Sequence, residues 1–353
     1  MKNNLRANPS KFEETPAGFY AFHTTPDQPY QYRLHLRILP NKTGILIVNA
    51  ASILRLNETG TYFAWVMMQG GTEEEILKRI QQRYKKADSQ LIKADYRNFF
   101  SEILNIIRNP DQAPVVNSTG FQDTDSPETQ NIPARANLCL TYQNAESEYS
   151  EDADELSTEE WKRIIRQTFD AGIPQVLFFG GEPTLRPDFI DLLTYAEDLG
   201  LVSGLVTSAE RLITDKTYVE ELINTGLDHL VLEVDPAKTL PADLAHIFDQ
   251  DLFTCLRFAV DDKTNLLEWA QSMARRGANA FSPYPADIES SQAAANLLQQ
   301  LLFAELNIEQ DLPFPRETGK PNPIRLFSPE VDGFNPDATL TYLPDGSLAQ
   351  DEA

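Results

Sequence analysis

The chain has 353 residues, 41% of them hydrophobic, enough for two domains with cores of their own. Its formal net charge of −23 opposes binding to nucleic acid or to anionic membranes, and no run approaches the roughly 18 apolar residues of a membrane span. Two cysteines and four scattered histidines leave no recognisable metal-ligand spacing.

Residues 1–30 show no hydrophobic period and read as a loose arm, and Met1 to Leu5 lacks the apolar core of a signal peptide, so a cytoplasmic location is expected. Residues 32–38 alternate with period two, as a half-buried strand does. A turn at Asn41-Lys42-Thr43-Gly44 leads into a second strand at residues 45–48. Leu56-Asn57-Glu58 enters a helix carrying Tyr62, Phe63, Trp65, Val66 and Met67, and Thr72-Glu73-Glu74-Glu75 is a capping box that opens another. A third helix over about 95–108 places Phe99, Phe100, Ile103, Leu104 and Ile107 on one face. Residues 109–134, rich in Pro, Asp, Gln, Ser and Thr, form a linker.

From residue 135 the pattern changes to alternating strands and helices, with apolar runs near 137–141, 175–179, 202–207, 229–234, 253–260 and 279–282. Ser157-Thr158-Glu159-Glu160 is a second capping box, and Pro187 marks another helix start. Short apolar strands separated by amphipathic helices signify parallel βαβ units. The predicted fold class is therefore α/β, a partial (β/α)6 barrel over 135–286, preceded by a small α+β domain over 31–108. A helix over 290–306 and a hairpin turned at Pro344-Asp345-Gly346 make up the extension over 287–353. Cys139 and Cys255 fall inside apolar strands and read as small buried hydrophobes.

Two segments carry resemblances. Leu56-Asn57-Glu58-Thr59, with Gly70-Gly71-Thr72-Glu73-Glu74-Glu75-Ile76 after an apolar stretch, resembles the PqqD-like peptide-recognition domain, a winged-helix-like unit. Leu138-Cys139-Leu140-Thr141-Tyr142, then Glu155 to Trp161, then Gly180-Gly181-Glu182-Pro183-Thr184-Leu185-Arg186-Pro187-Asp188, resembles the radical SAM superfamily. That resemblance implies that Gly180, Gly181, Glu182 and Pro183 are the segment that contacts the amino group of S-adenosylmethionine. It also implies a C-x3-C-x2-C motif after the first strand, whose positions fall near Asn144, Glu148 and Glu151, with no thiolate at any of them. Carboxylate and amide oxygens suit an iron–sulfur cluster poorly. The family's Thr-Asn-Gly after the third strand reads Thr207-Ser208-Ala209 here, and the region near the ribose reads Leu232-Glu233-Val234-Asp235.

These departures lead to the expectation of a degenerate radical SAM protein with no catalytic residues and no metal site, no cofactor and in particular no 4Fe–4S cluster, although S-adenosylmethionine could still bind. The implied role is a peptide- and partner-binding component, a pseudoenzyme, in maturation of a ribosomally made peptide. Its expected partners are a precursor or leader peptide and an active radical SAM enzyme, with neither nucleic acid nor membrane. The alternative is an enzyme that binds S-adenosylmethionine or another small molecule in the barrel, with a cluster supplied by a partner. The acidity serves solubility or the steering of a basic partner.

Overall fold

A computed structural model describes residues 15–24, 32–49, 52–85, 88–108, 120–121, 133, 135–144, 155–250, 252–260, 265–287, 289–309, 312–313 and 339–348. The chain divides into two compact units, Met1–Gln130 and Asn131–Ala353.

The first unit is an antiparallel meander of β1 (Gly18–His23), β2 (Arg33–Ile38), β3 (Gly44–Val48) and β4 (Ser52–Leu56), in that spatial order. Helices α1 (Glu58–Met68), α2 (Glu73–Arg83) and α3 (Ser89–Arg108) follow. Sequence reasoning gave two of these strands. It missed β1 because proline-containing polar stretches flank the short alternation of Tyr20 and Phe22, which pack on the core. It missed β4 because Arg55 interrupts five residues, although Leu54 and Leu56 are buried.

Side chains start each helix. Asn57 accepts a hydrogen bond from the amide of Gly60 at 2.9 Å, Thr72 and Glu75 form the reciprocal capping box, and Asp88 accepts from the amides of Gln90 and Leu91. The core beneath them gathers Leu36, Leu46, Leu56, Phe63, Ile80 and Phe99.

The second unit alternates strand and helix. It runs β5 (Arg135–Thr141), α4 (Thr158–Asp170), β6 (Gln175–Gly180), a single 3-10 turn (Pro183–Leu185), α5 (Phe189–Leu199) and β7 (Val202–Ser208). Next come α6 (Ala209–Thr214), α7 (Lys216–Thr225), β8 (His229–Glu233), α8 (Ala245–Phe248), β9 (Phe253–Val260) and α9 (Leu266–Arg276). The unit ends with β10 (Ala280–Pro285), α10 (Ser291–Phe303) and β11 (Thr339–Tyr342). The sheet order is β10-β9-β8-β7-β6-β5-β11, with every neighbouring pair parallel. The expected hairpin is reduced to a bridge between Tyr342 and Leu348, while β11 itself extends the sheet as a seventh strand beside β5.

Strand alternation sorts the side chains into two layers. Leu138, Leu140, Phe178, Leu205, Leu230, Leu232 and Leu256 share a cluster with the helix residues Trp161, Leu192 and Leu222. Cys139, Leu177, Phe179, Val206, Val231, Cys255 and Ala280 form a separate cluster on the opposite, concave face. After α10 the chain pairs with β10: the amide of Phe281 donates to the Asn307 carbonyl at 2.9 Å, and the amide of Glu309 donates to the Phe281 carbonyl at 3.0 Å. Leu312, 1% exposed, also belongs to the concave cluster. No helix among the described residues is long and apolar enough to cross a membrane.

Candidate functional site

The Gly180-Gly181-Glu182-Pro183 segment leaves β6 at the C-terminal end of the parallel sheet, the side on which barrels of this kind place their ligand groups. Gly180 has φ +147°, and a Cβ built on it would lie 2.3 Å from the Thr141 carbonyl oxygen. A Cβ on Gly181 would lie 2.1 Å from the Gln143 carbonyl oxygen. Both glycines are thus required by the end of β5, which runs against the turn and accepts the amides of Gly181 at 2.8 Å and Glu182 at 2.6 Å. Gly181→Ala is expected to cost about 1–3 kcal/mol, since backbone must move to admit the methyl group. A urea midpoint unchanged from wild type would show that this approach is looser than described.

Glu182 is 4% exposed, and its carboxylate is fully engaged. It accepts from the amide and hydroxyl of Thr184 at 3.1 and 2.6 Å, the hydroxyl of Thr207 at 2.6 Å and the amide of Ser208 at 2.8 Å. The carboxylate therefore ties the turn after β6 to the end of β7. Pro183 opens the 3-10 turn.

Arg186 is a connection that sequence reasoning quoted within the motif without giving it a role. Its guanidinium, 5% exposed, pairs with Glu155 at 3.2 Å and with Asp188 at 2.9 Å. It also donates to the carbonyls of Leu140 and Leu156, both at 3.1 Å. Glu155 in turn accepts from the Thr141 hydroxyl at 2.6 Å and the Tyr142 amide at 3.2 Å. Burial raises the Asp188 carboxyl, but hydrogen bonds from Arg186 and Thr158 outweigh it and hold the group below the usual carboxylate range. The sequence signal was an arginine set between two prolines, Pro183 and Pro187.

Farther along the strand ends, buried Arg257 lies 3.6 Å from the partly exposed carboxylate of Glu233. Burial pushes the Glu233 carboxyl up; Arg257 opposes this and nearby Glu182 adds to it, leaving the net direction upward. Burial lowers Arg257, whose guanidinium also donates to the Pro313 carbonyl at 2.5 Å and lies 5.5 Å from the Tyr284 ring. Asp235, two residues on, instead pairs with exposed Lys238 at 2.9 Å. At the opposite end of β8, His229 meets Glu309 at 3.1 Å, which fixes the strap that leads to Leu312.

Of the positions expected to replace cluster cysteines, Asn144 lies just beyond β5, whereas Glu148 and Glu151 lie outside the described residues. Cys139 and Cys255 are both buried in the concave cluster, with the Cys139 thiol 3.8 Å from the Thr141 carbonyl oxygen.

In the first unit, the free-standing candidate is the sheet margin at β4. Leu56 pairs antiparallel with Phe121, the Asn57 amide donates to the Gly120 carbonyl at 3.1 Å, and the Asn57 side chain donates to the Phe121 carbonyl at 3.3 Å. Phe121 is 8% exposed and stacks on Phe99 of α3, with ring centroids 5.3 Å apart.

Residues 138–238 match the radical SAM superfamily, and residues 44–105 match coenzyme PQQ synthesis protein D (PqqD). The PqqA peptide cyclase of Bradyrhizobium diazoefficiens is 37% identical over 112 residues, 32% of this chain and 29% of the cyclase. That of Gluconobacter oxydans is 38% identical over 98 residues, 28% of this chain and 27% of the cyclase. The matched stretch spans less than a third of the length of these relatives. The fold is similar to that of Streptococcus suis SuiB bound to S-adenosylmethionine, with TM-score 0.50 and 14% identity, covering 89% of this chain and 80% of SuiB.

These matches correct one expectation. The radical SAM match and the cyclase relatives imply S-adenosylmethionine and a 4Fe–4S cluster, against the reading that no cofactor is used and a cluster is improbable. The donor set of this chain does not itself fit a three-thiolate site: it has two cysteines in all, both locked in strands of one sheet. No chemical step is therefore derived through the cluster.

Proposed function

We propose that this chain, a PqqD domain followed by a radical SAM domain, serves in the maturation of a ribosomally made peptide as the component that binds the peptide and a partner enzyme. The PqqD-type sheet would take the leader as an added strand, where main-chain hydrogen bonds give affinity and side-chain pockets give selectivity. The second unit would contribute its surface and folded frame, and a partner radical SAM enzyme would carry out the chemistry.

One observation carries this reading. The groups that a catalytic version of this site would present are spent on structure: Gly180 and Gly181 are packed against β5, and all the described partners of the Glu182 carboxylate come from its own turn and β7. The retained segment of Gly180, Gly181, Glu182 and Pro183 is then a structural inheritance, with S-adenosylmethionine contact as its residual capacity.

The test is turnover. Purified protein, reconstituted anaerobically with iron and sulfide and supplied with S-adenosylmethionine and dithionite, is expected to release no 5′-deoxyadenosine above a protein-free control. Release by the chain alone would overturn the reading. A peptide-binding role is tested separately, by calorimetric titration with candidate leader peptides.

A further inference from the structure

The margin of β4 shows what an incoming strand has to satisfy, because a piece of this chain already occupies it. Gly120 and Phe121 belong to the segment read as a linker, 64 residues beyond Asn57 in the case of Phe121, yet Phe121 bridges Leu56 of β4 and the Gly120 carbonyl accepts from the Asn57 amide. The pairing is antiparallel, and it uses both the main chain and the side chain of Asn57.

The fit is specific. A Cβ on Gly60 would lie 2.0 Å from the Gly120 carbonyl oxygen, so the third residue of α1 lets the added segment pass directly over it. Gly120 has φ +112°, a conformation that favours glycine, and a Cβ there would lie 2.8 Å from the Phe99 ring. The next residue fills the gap between β4 and α3 with an aromatic ring stacked on Phe99. The recess thus accepts a glycine followed by an aromatic residue, the aromatic position bridged antiparallel to β4.

We infer that Gly120–Phe121 is an internal occupant of this strand-addition edge, and that a peptide containing a glycine followed by an aromatic residue binds by displacing it. This inference rests on the peptide-binding reading above. The physical consequence is a competition: when a site is open only a fraction of the time, the apparent dissociation constant rises by the inverse of that fraction. Occupation by a tethered segment also keeps an apolar recess and an unpaired strand edge from recruiting other chains.

The probe is a fluorescein-labelled synthetic peptide with the sequence of residues 115–127, added to the full chain. Wild-type protein, whose own segment fills the recess, is expected to bind it weakly. Phe121→Ala should bind it at least about tenfold more tightly, corresponding to an edge closed about nine-tenths of the time in the wild type. Phe121→Leu, which retains most of the apolar contact, should fall between them and serves if the alanine variant does not fold. Amide hydrogen exchange at Asn57 should quicken in either variant, since its acceptor is the Gly120 carbonyl.

Equal binding by all three proteins, or binding by none, would overturn the inference, as would unchanged exchange at Asn57 in a folded variant. A precursor peptide that leaves the labelled probe in place on Phe121→Ala would instead remove the leader reading while leaving the self-occupied edge intact. The two failures are therefore distinguishable.

Discussion

Arg186→Met is expected to destabilise the second unit by about 3–5 kcal/mol, the loss typical when one member of a buried ion pair is removed and its partners are left charged. Three elements meet at this guanidinium: the end of β5 through Leu140, the segment leading into α4 through Glu155 and Leu156, and the start of α5 through Asp188. Methionine keeps much of the stem volume but supplies no donor, so Glu155 and Asp188 lose the positive charge they face. The double replacement Glu155→Gln with Asp188→Asn in the Arg186→Met background should recover part of the loss, because neutral amides bear burial better than unpaired carboxylates. Urea unfolding monitored at Trp269 reads the effect. A loss below about 1 kcal/mol would mean that the cluster behaves as an exposed ion pair does.

The same cluster shows what could be read from residues alone. Elements governed by local rules were legible: the capping boxes at Thr72 and Ser157 both form, and Gly200 and Gly226 terminate α5 and α7 in left-handed conformations. The strand–helix alternation from residue 135 gave the parallel sheet, since each buried strand is a short apolar run bounded by polar turns. Partnerships across long separations left no periodic trace. Phe121 against Leu56, Glu309 against His229, and Leu312 among the strand residues of the concave face join segments whose sequences carry no shared signal. In the candidate site, the motif around Gly180 was visible as a string, but its physical demands were not. That Gly180 and Gly181 answer to β5, and that Glu182 is saturated by Thr184, Thr207 and Ser208, follows only once three strand ends converge. Glu233 ends β8 and faces Arg257, whereas Asp235 lies beyond the strand and pairs with exposed Lys238.

Trp161→Ala is expected to cost about 3–5 kcal/mol, the range for deleting a large aromatic side chain from a close-packed core. Trp161 is 0% exposed and sits in the cluster that joins α4 to the outer face of the sheet, beside Ile164, Ile165 and the α5 residues Leu192 and Leu193. No hydrogen-bond partner for its indole N–H is found among the described residues. The side chain therefore stabilises through packing while bearing the cost of a buried donor. This separates two substitutions that would otherwise look alike. Phe keeps most of the volume and removes the donor, so Trp161→Phe should lose less than about 1.5 kcal/mol, whereas alanine forfeits the contacts outright. The chain has three tryptophans, and the other two report on different units: Trp65 lies in the first and Trp269 in the second. In the alanine variant the Trp269 signal should unfold at lower urea while the Trp65 signal keeps its wild-type midpoint. Equal shifts at both residues would show that the two cores do not unfold independently, and a loss as large for Trp161→Phe as for alanine would show that the indole N–H has a partner after all.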